Sequence, residues 1–173
     1  MLELLTSTIR TVPDFPKPGI QFKDITPVLA DARLLRFAVD ELAREWKDKG
    51  ITKVIGIESR GFILGAMLAD ELDAGFIPVR KQGKLPFTTI RETYDLEYGS
   101  DTIEMHIDAV GPKDRVLIHD DVIATGGTAA ATHRLVEFAE GPLAGFSFLI
   151  ELGFLNGRSK LPADARVHTL LNY

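Results

Sequence analysis

Val116-Leu117-Ile118-His119-Asp120-Asp121-Val122-Ile123-Ala124-Thr125-Gly126-Gly127-Thr128 is an apolar, strand-like run that delivers two adjacent carboxylates into a glycine turn at the head of a helix. Glycines permit tight turns and close approach of a ligand to the backbone. Consecutive free N–H groups at a helix start cradle an anion, and the helix dipole adds to the attraction. Asp120 and Asp121 cannot hold a phosphate themselves. Adjacent acids repel unless hydroxyls or a cation satisfy them, so the whole segment suits a ligand carrying phosphate, a vicinal diol and Mg²⁺. Ribose 5-phosphate bearing a leaving diphosphate has that chemistry. Taken singly, Asp-Asp reads as a solvated turn and Gly-Gly as a tight helix entry. The order strand, acid pair, Thr-Gly-Gly-Thr, apolar helix is what makes a site of them. The segment is neither Gly-x-x-x-x-Gly-Lys-Ser/Thr nor Gly-x-Gly-x-x-Gly, which sets aside a Walker A loop and an ordinary dinucleotide fold.

The flanking sequence extends the pattern. Val54-Ile55-Gly56-Ile57 reads as a buried strand, residues 62–72 as a helix and Phe76-Ile77-Pro78-Val79 as the next strand. With the strand at 116–119, a helix from Gly127 to about Phe138 and an apolar strand over 145–152, the alternation predicts an α/β fold on a mainly parallel sheet with right-handed crossovers. Ligands of such sheets gather at strand C-termini. Glu58-Ser59-Arg60-Gly61 and Asp120-Asp121 each follow a strand directly, which predicts that they share one edge of the sheet.

Upstream, the start through Val12 has the pattern of a short amphipathic helix, ended by Pro13-Asp14-Phe15-Pro16-Lys17-Pro18-Gly19, whose prolines enforce an extended lead-in loop. Asp31 is an N-cap for a helix reaching about Lys49, with Leu35, Val39, Leu42 and Trp46 as its core stripe and Gly50 as its stop. Residues 84–107 turn to β-prone alternation: Thr89, Ile90, Thr93 and Tyr94, a Tyr98-Gly99-Ser100-Asp101 turn, then Ile103, Met105 and Ile107. That predicts a hairpin, which serves either as a lid or as an exposed antiparallel extension.

Composition narrows the class. A chain of 173 residues, 45% hydrophobic and 26% charged, suits one globular domain over 1–173. A formal net charge of −5 weighs against a nucleic-acid surface. With no Cys, disulfides, thiolate nucleophiles and cysteine metal sites are excluded. His106, His133 and His168 have no metal-ligand spacing. Met1-Leu2-Glu3-Leu4-Leu5 lacks a basic region followed by a long apolar stretch, and no later run approaches membrane-spanning length. The expectation is a cytoplasmic protein with neither nucleic-acid nor membrane partners.

Together these motifs resemble the type I phosphoribosyltransferases, and within them the adenine-specific branch. The likeness spans nearly the whole chain: residues 13–27, Glu58-Ser59-Arg60-Gly61-Phe62, Arg80-Lys81-Gln82-Gly83-Lys84-Leu85-Pro86, Leu96-Glu97-Tyr98-Gly99 and the segment quoted first. That segment alone marks the superfamily; the first and third stretches point to adenine. The resemblance implies transfer of ribose 5-phosphate from phosphoribosyl diphosphate (PRPP) to N9 of adenine, giving AMP and diphosphate, with Mg²⁺ as cofactor and a homodimer as the assembly. Departure of diphosphate builds oxocarbenium character on the sugar, so catalysis calls for cations at diphosphate and fixed hydrogen bonds to the sugar.

By the family pattern, Ala124, Thr125, Gly126, Gly127 and Thr128 hold the 5′-phosphate, while Asp120 and Asp121 bind the ribose hydroxyls. Ser59, Arg60, Arg80, Lys81 and Lys84 meet diphosphate, with Arg80 able to serve the site of a dimer partner. Mg²⁺ bridges diphosphate and ribose oxygens with no direct protein ligand. Gln21, Phe22 and Lys23 form the adenine site: Phe22 stacks on the purine, and backbone groups of Gln21 and Lys23 read N6 and N1, an order that hypoxanthine reverses. Phe22 as plain core remains a rival reading. Glu97, with Tyr98, lies over the reacting centre as a proton acceptor, on a flap whose closure excludes water. His119, Lys23 and Gln21 depart from the family pattern, and a satisfied structural histidine is the expectation for His119. Competing readings are a phosphoribosyltransferase for hypoxanthine, guanine or xanthine, a PRPP-sensing regulator and a plain nucleotide-binding module. The regulator calls for a DNA-binding surface for which this acidic chain has no spare length.

Overall fold

The apolar runs become the middle of one sheet, and the chain is best followed from them outward. The computed structural model describes residues 1–95 and 99–173. Contacts divide the chain into two compact units, Met1–Glu41 and Leu42–Tyr173.

In the first unit, helix α1 (Leu2–Thr8) is shorter than expected, because β1 (Arg10–Pro13) takes over and pairs antiparallel with β2 (Gln21–Asp24). The proline-rich stretch is therefore the connection of a two-stranded ribbon. Asp14 Oδ1 accepts the Gly19 N–H at 2.7 Å across it. A short α2 (Thr26–Leu29) follows. Asp31 caps α3 (Ala32–Arg44) as expected, its Oδ1 accepting the N–H groups of Arg33 (2.8 Å) and Leu34 (3.1 Å). The helix stops at Arg44, short of Lys49, and Leu34 rather than Leu35 is buried in its first turn. Trp46 lies past the helix end, buried as expected of a core residue.

The second unit carries a seven-stranded sheet in the order β5-β6-β4-β3-β7-β8-β9. Its elements are β3 (Lys53–Ile57), α4 (Gly61–Glu71), β4 (Gly75–Lys81), β5 (Thr89–Asp95), β6 (Ser100–His106), β7 (Val116–Ile123), α5 (Gly127–Phe138), β8 (Leu143–Glu151) and β9 (Val167–Asn172). Strands β4, β3, β7, β8 and β9 are parallel, and in this sheet only β6 runs antiparallel to its neighbours, β4 and β5. The hairpin is not free-standing: β6 pairs with the end of β4 through Arg80↔Glu104 and Lys81↔Ile103. Ser100 and Asp101 belong to β6 rather than to a turn, because they pair with Asp95 and Tyr94. Tyr98 of the expected turn lies outside the described residues. The strand β9 was not legible beforehand. No described helix is long and apolar enough to cross a membrane.

Alternation along the strands sends side chains to opposite faces. Ile55, Ile57, Ile118, Phe146 and Phe148 join Leu135 and Val136 of α5 in one core. On the opposite face, α4 packs through bare backbone: a Cβ on Gly56 would stand 2.9 Å from the Gly61 carbonyl oxygen, and one on Gly65 would stand 3.5 Å from the Gly56 Cα. His119 faces this side, its ring 3.4 Å from the Cβ position of Gly65. The ring is wholly buried beside the Ser147 backbone, and neither ring nitrogen forms a well-made hydrogen bond. Burial holds the imidazole neutral, pulling its pKa down from 6.5 to about 4. The expected structural histidine is therefore structural but not satisfied.

The segment after β8 seats the glycine turn. Short 3₁₀ turns, Gly153–Leu155 and Gly157–Lys160, bring Gly157 against it. A Cβ on Gly126, whose φ is +76°, would lie 2.1 Å from the Gly157 carbonyl oxygen, and one on Gly157 would lie 2.3 Å from that of Ala124. Arg158 anchors this segment with a two-pronged pair to Glu151, Nε to Oε1 at 2.8 Å and Nη2 to Oε2 at 2.6 Å.

Two outcomes are expected from these contacts. The unfolded chain protonates His119 below 6.5 while the native ring resists until about 4. Its contribution to stability is thus lost as pH falls through that window, by up to about 3 kcal/mol. In urea titrations from pH 7 to 4, His119→Leu should lose less stability than the unaltered chain. Gly157→Ala has no room for its methyl and should cost about 1–3 kcal/mol in the same measurement.

Candidate active site

The acid pair does not follow its strand, as expected, but lies within it: β7 continues to Ile123, and Asp120 pairs in register with Phe148. Both carboxylates are thereby fixed by a central strand. Asp121 is buried, and its Oδ2 meets Arg60 Nε at 3.0 Å. Asp120 is partly exposed at the mouth of a cleft, yet sunk among protein atoms, and its Oδ1 accepts the Asp121 N–H at 2.9 Å. Gly61 opens α4 directly against it; a Cβ there would stand 2.8 Å from Asp120 Oδ1. Burial, and then the charge of Asp121, push the Asp120 carboxyl well above its ordinary value. Burial also raises Asp121, with Arg60 opposing.

The Glu58-Ser59-Arg60-Gly61 loop joins β3 to α4 and shares the strand-end edge with the acid pair, as expected from the parallel order. Beyond Ile123, residues 124–128 line a pocket of about 90 Å³ that includes Asp120 and Phe148. Gly126 begins the helix in the left-handed region with no side-chain cap, and the first-turn N–H groups of α5 have no acceptor within the helix, the condition in which a helix start suits an anion. Thr128 Oγ1 donates to Tyr94 Oη at 3.1 Å, tying the helix start to the hairpin.

Beside this pocket, a cleft of about 300 Å³ is lined by Ile57, Glu58, Lys81, Tyr94, Asp101, Ile103, Asp120 and Thr128. Of the expected basic group, Lys81 lines it directly. Arg80 and Lys84 sit at Glu58, with Arg80 Nε at 3.3 Å and Lys84 Nζ at 2.8 Å. Arg80 also stacks over Phe62, its Cζ 5.9 Å from the ring centroid. The structure thus gathers Arg60, Lys81, Asp120, Asp121 and residues 124–128 around adjoining cavities, with Arg80 and Lys84 joined through Glu58.

Gln21, Phe22 and Lys23 lie on β2 of the first unit, where Phe22 is half-buried with its ring edge-on to Phe15 at 5.1 Å, and Lys23 Nζ donates to Thr11 at 3.0 Å. Glu97 and Tyr98 fall outside the described residues. Sequence reasoning missed Glu104. It is buried on β6 and accepts from the N–H groups of Gly83, Lys84 and Leu85, so it shapes the loop that bears Lys84. Its one signal was a carboxylate between Ile103 and Met105, and alternation assigns such a position to solvent. Among the described residues, no cluster of three or more His, Asp or Glu could hold a metal ion.

Comparison with known proteins agrees with this geometry. The model of the phosphoribosyl transferase domain matches residues 25–153. Adenine phosphoribosyltransferase of Anaeromyxobacter dehalogenans is 57% identical over 173 residues, covering all of both chains. The crystal structure of adenine phosphoribosyltransferase from Rhodothermus marinus superposes with a TM-score of 0.95 at 67% identity, over 99% of this chain and 98% of that one. The Saccharomyces cerevisiae enzyme, complexed with an imino-altritol bisphosphate and adenine, gives 0.92 at 42% identity over 98% of each. The parallel sheet, the buried acid pair and the glycine cradle therefore belong to a member of the phosphoribosyltransferase family, on its adenine phosphoribosyltransferase branch.

Proposed function

We propose that this chain transfers the 5-phosphoribosyl group of PRPP to N9 of adenine, a step of purine salvage, as a cytoplasmic homodimer in which both units serve one catalytic domain. The observation that carries this reading is the meeting, on one sheet edge, of the glycine turn at residues 124–128, the acid pair with Arg60 on Asp121, and a cleft lined by Lys81 and bordered by Arg80 and Lys84 at Glu58. In the reaction the bond from C1′ to the diphosphate oxygen breaks, the bond from N9 to C1′ forms, and the proton leaves N9.

The N–H groups of residues 124–128 and the Thr125 and Thr128 hydroxyls hold the 5′-phosphate. Asp120 and Asp121, rigid on β7, accept from the 2′- and 3′-hydroxyls and fix the ribose for attack at C1′. Ser59, Arg60, Arg80, Lys81 and Lys84 receive the charge that develops on diphosphate. Mg²⁺, when bound, would be carried by the oxygens of PRPP and would supply charge neutralisation to the leaving diphosphate. Gln21, Phe22 and Lys23 are assigned to adenine, and Glu97, with Tyr98, to the N9 proton, on the family resemblance.

The decisive test is incubation with PRPP, Mg²⁺ and each of adenine, hypoxanthine, guanine, xanthine and orotate. AMP from adenine alone is expected. A different nucleotide would overturn the base site, and PRPP binding without product would favour a sensor. Lys84→Ala should weaken PRPP binding more than adenine binding, read by calorimetry. Asp120→Asn should lower kcat at least about a hundredfold. The same variant should be more stable at neutral pH, by about 1 kcal/mol. The sign follows from the raised Asp120 carboxyl: the native state binds the extra proton, so stability falls as pH rises from the ordinary carboxylate value through the raised one. Asp120→Asn removes that slope, as thermal unfolding across pH will read.

A further inference from the structure

The cations expected to meet diphosphate already hold carboxylates of this chain. Arg60 is on Asp121 at 3.0 Å, Arg80 and Lys84 share Glu58 at 3.3 and 2.8 Å, and Lys81 is on Asp101 at 3.0 Å. Of these acids, Glu58 is the most tightly engaged with the basic group. Its side chain is 9% exposed, and it accepts from the Lys81 N–H at 2.9 Å as well as from both side chains. Burial alone would raise its pKa, but the hydrogen bonds from Lys84, the Lys81 backbone and Arg80 outweigh that and hold it ionised. Glu58 and Asp101 both line the same cleft as Asp120.

The partners differ in freedom. Glu58 is rooted where β3 ends, whereas Lys84 and Lys81 are half-exposed, with side-chain exposures of 50% and 58%, and carry long flexible stems. An incoming dianion can therefore draw the ammonium groups away while Glu58 stays, still satisfied by Arg80 and the Lys81 N–H. Without the two acids, Arg80, Lys81 and Lys84 would face one another unneutralised, and any diphosphate would be gripped by their full charge. We propose that Glu58, with Asp101 as its counterpart on β6, is an internal counter-anion that diphosphate displaces from Lys84 and Lys81, and so limits how tightly diphosphate is held. Glu58 is in this sense a positioning residue, acting on the ligand through its cations. The proposal rests on the reading of this cleft as the diphosphate site.

The test is calorimetric titration of inorganic diphosphate with Mg²⁺ into the unaltered chain, Glu58→Gln and Asp101→Asn, together with diphosphate inhibition of AMP formation. Both variants should bind diphosphate about threefold to tenfold more tightly, and KM for PRPP should fall while kcat does not rise. A merely structural Glu58 would give the opposite sign, since disordered cations bind more weakly. Equal or weaker binding in both folded variants overturns the proposal and leaves the enzymatic reading intact. No diphosphate binding by the unaltered chain overturns both. Should Glu58→Gln fail to fold, Asp101→Asn, on a separate strand, decides by the same readout.

Discussion

Two consecutive carboxylates inside a central strand are the constraint around which the second unit is arranged. Asp120 and Asp121 are placed by the stretch of β7 that continues past β3 and stays paired with β8, so neither can move away from the other without disturbing that ladder. Water cannot screen them as it would in a turn, and both resist ionisation. The fold meets this with Arg60 on Asp121 and with the bare Gly61 backbone against Asp120. On the proposed function, the hydroxyls of a ribose would supply the donors this pair lacks, as expected where stability is given up for preorganisation.

Glycine contacts extend that order from the strand to the anion cradle. Gly126 and Gly157 approach so closely that neither position has space for a side chain, and the paired Arg158 and Glu151 hold the second against the first. The cradle is therefore backed by a segment remote in sequence. Tyr94 fastens its other side through Thr128. On the proposed function, a phosphate entering here would meet N–H groups already oriented, and little ordering entropy would be lost on binding.

Charge in the cleft follows a related logic. A concentration of lysine and arginine would repel itself, and carboxylates interleaved with it remove that cost. Glu104 does comparable work on the backbone, gathering the N–H groups of the loop that carries Lys84. Acids outside the reaction thus define where the cations stand.

The sequence by itself determined the α/β alternation, the helix start at Gly127, the cap at Asp31 and the joint location of the 58–61 loop and the acid pair, because hydrophobic period, capping and strand order are local or nearly local signals. Only the tertiary structure decided that Asp120 and Asp121 lie within the strand, since an acid has a low strand propensity that continued pairing with β8 overrides. It also decided that the hairpin joins the sheet edge, that Glu104 is buried, and that Gly157 backs the cradle. Each of these depends on which distant residue arrives opposite, and the physical reason they escape a reading of the chain is that long-range pairing and burial are properties of the packed whole, while propensity and period belong to the segment.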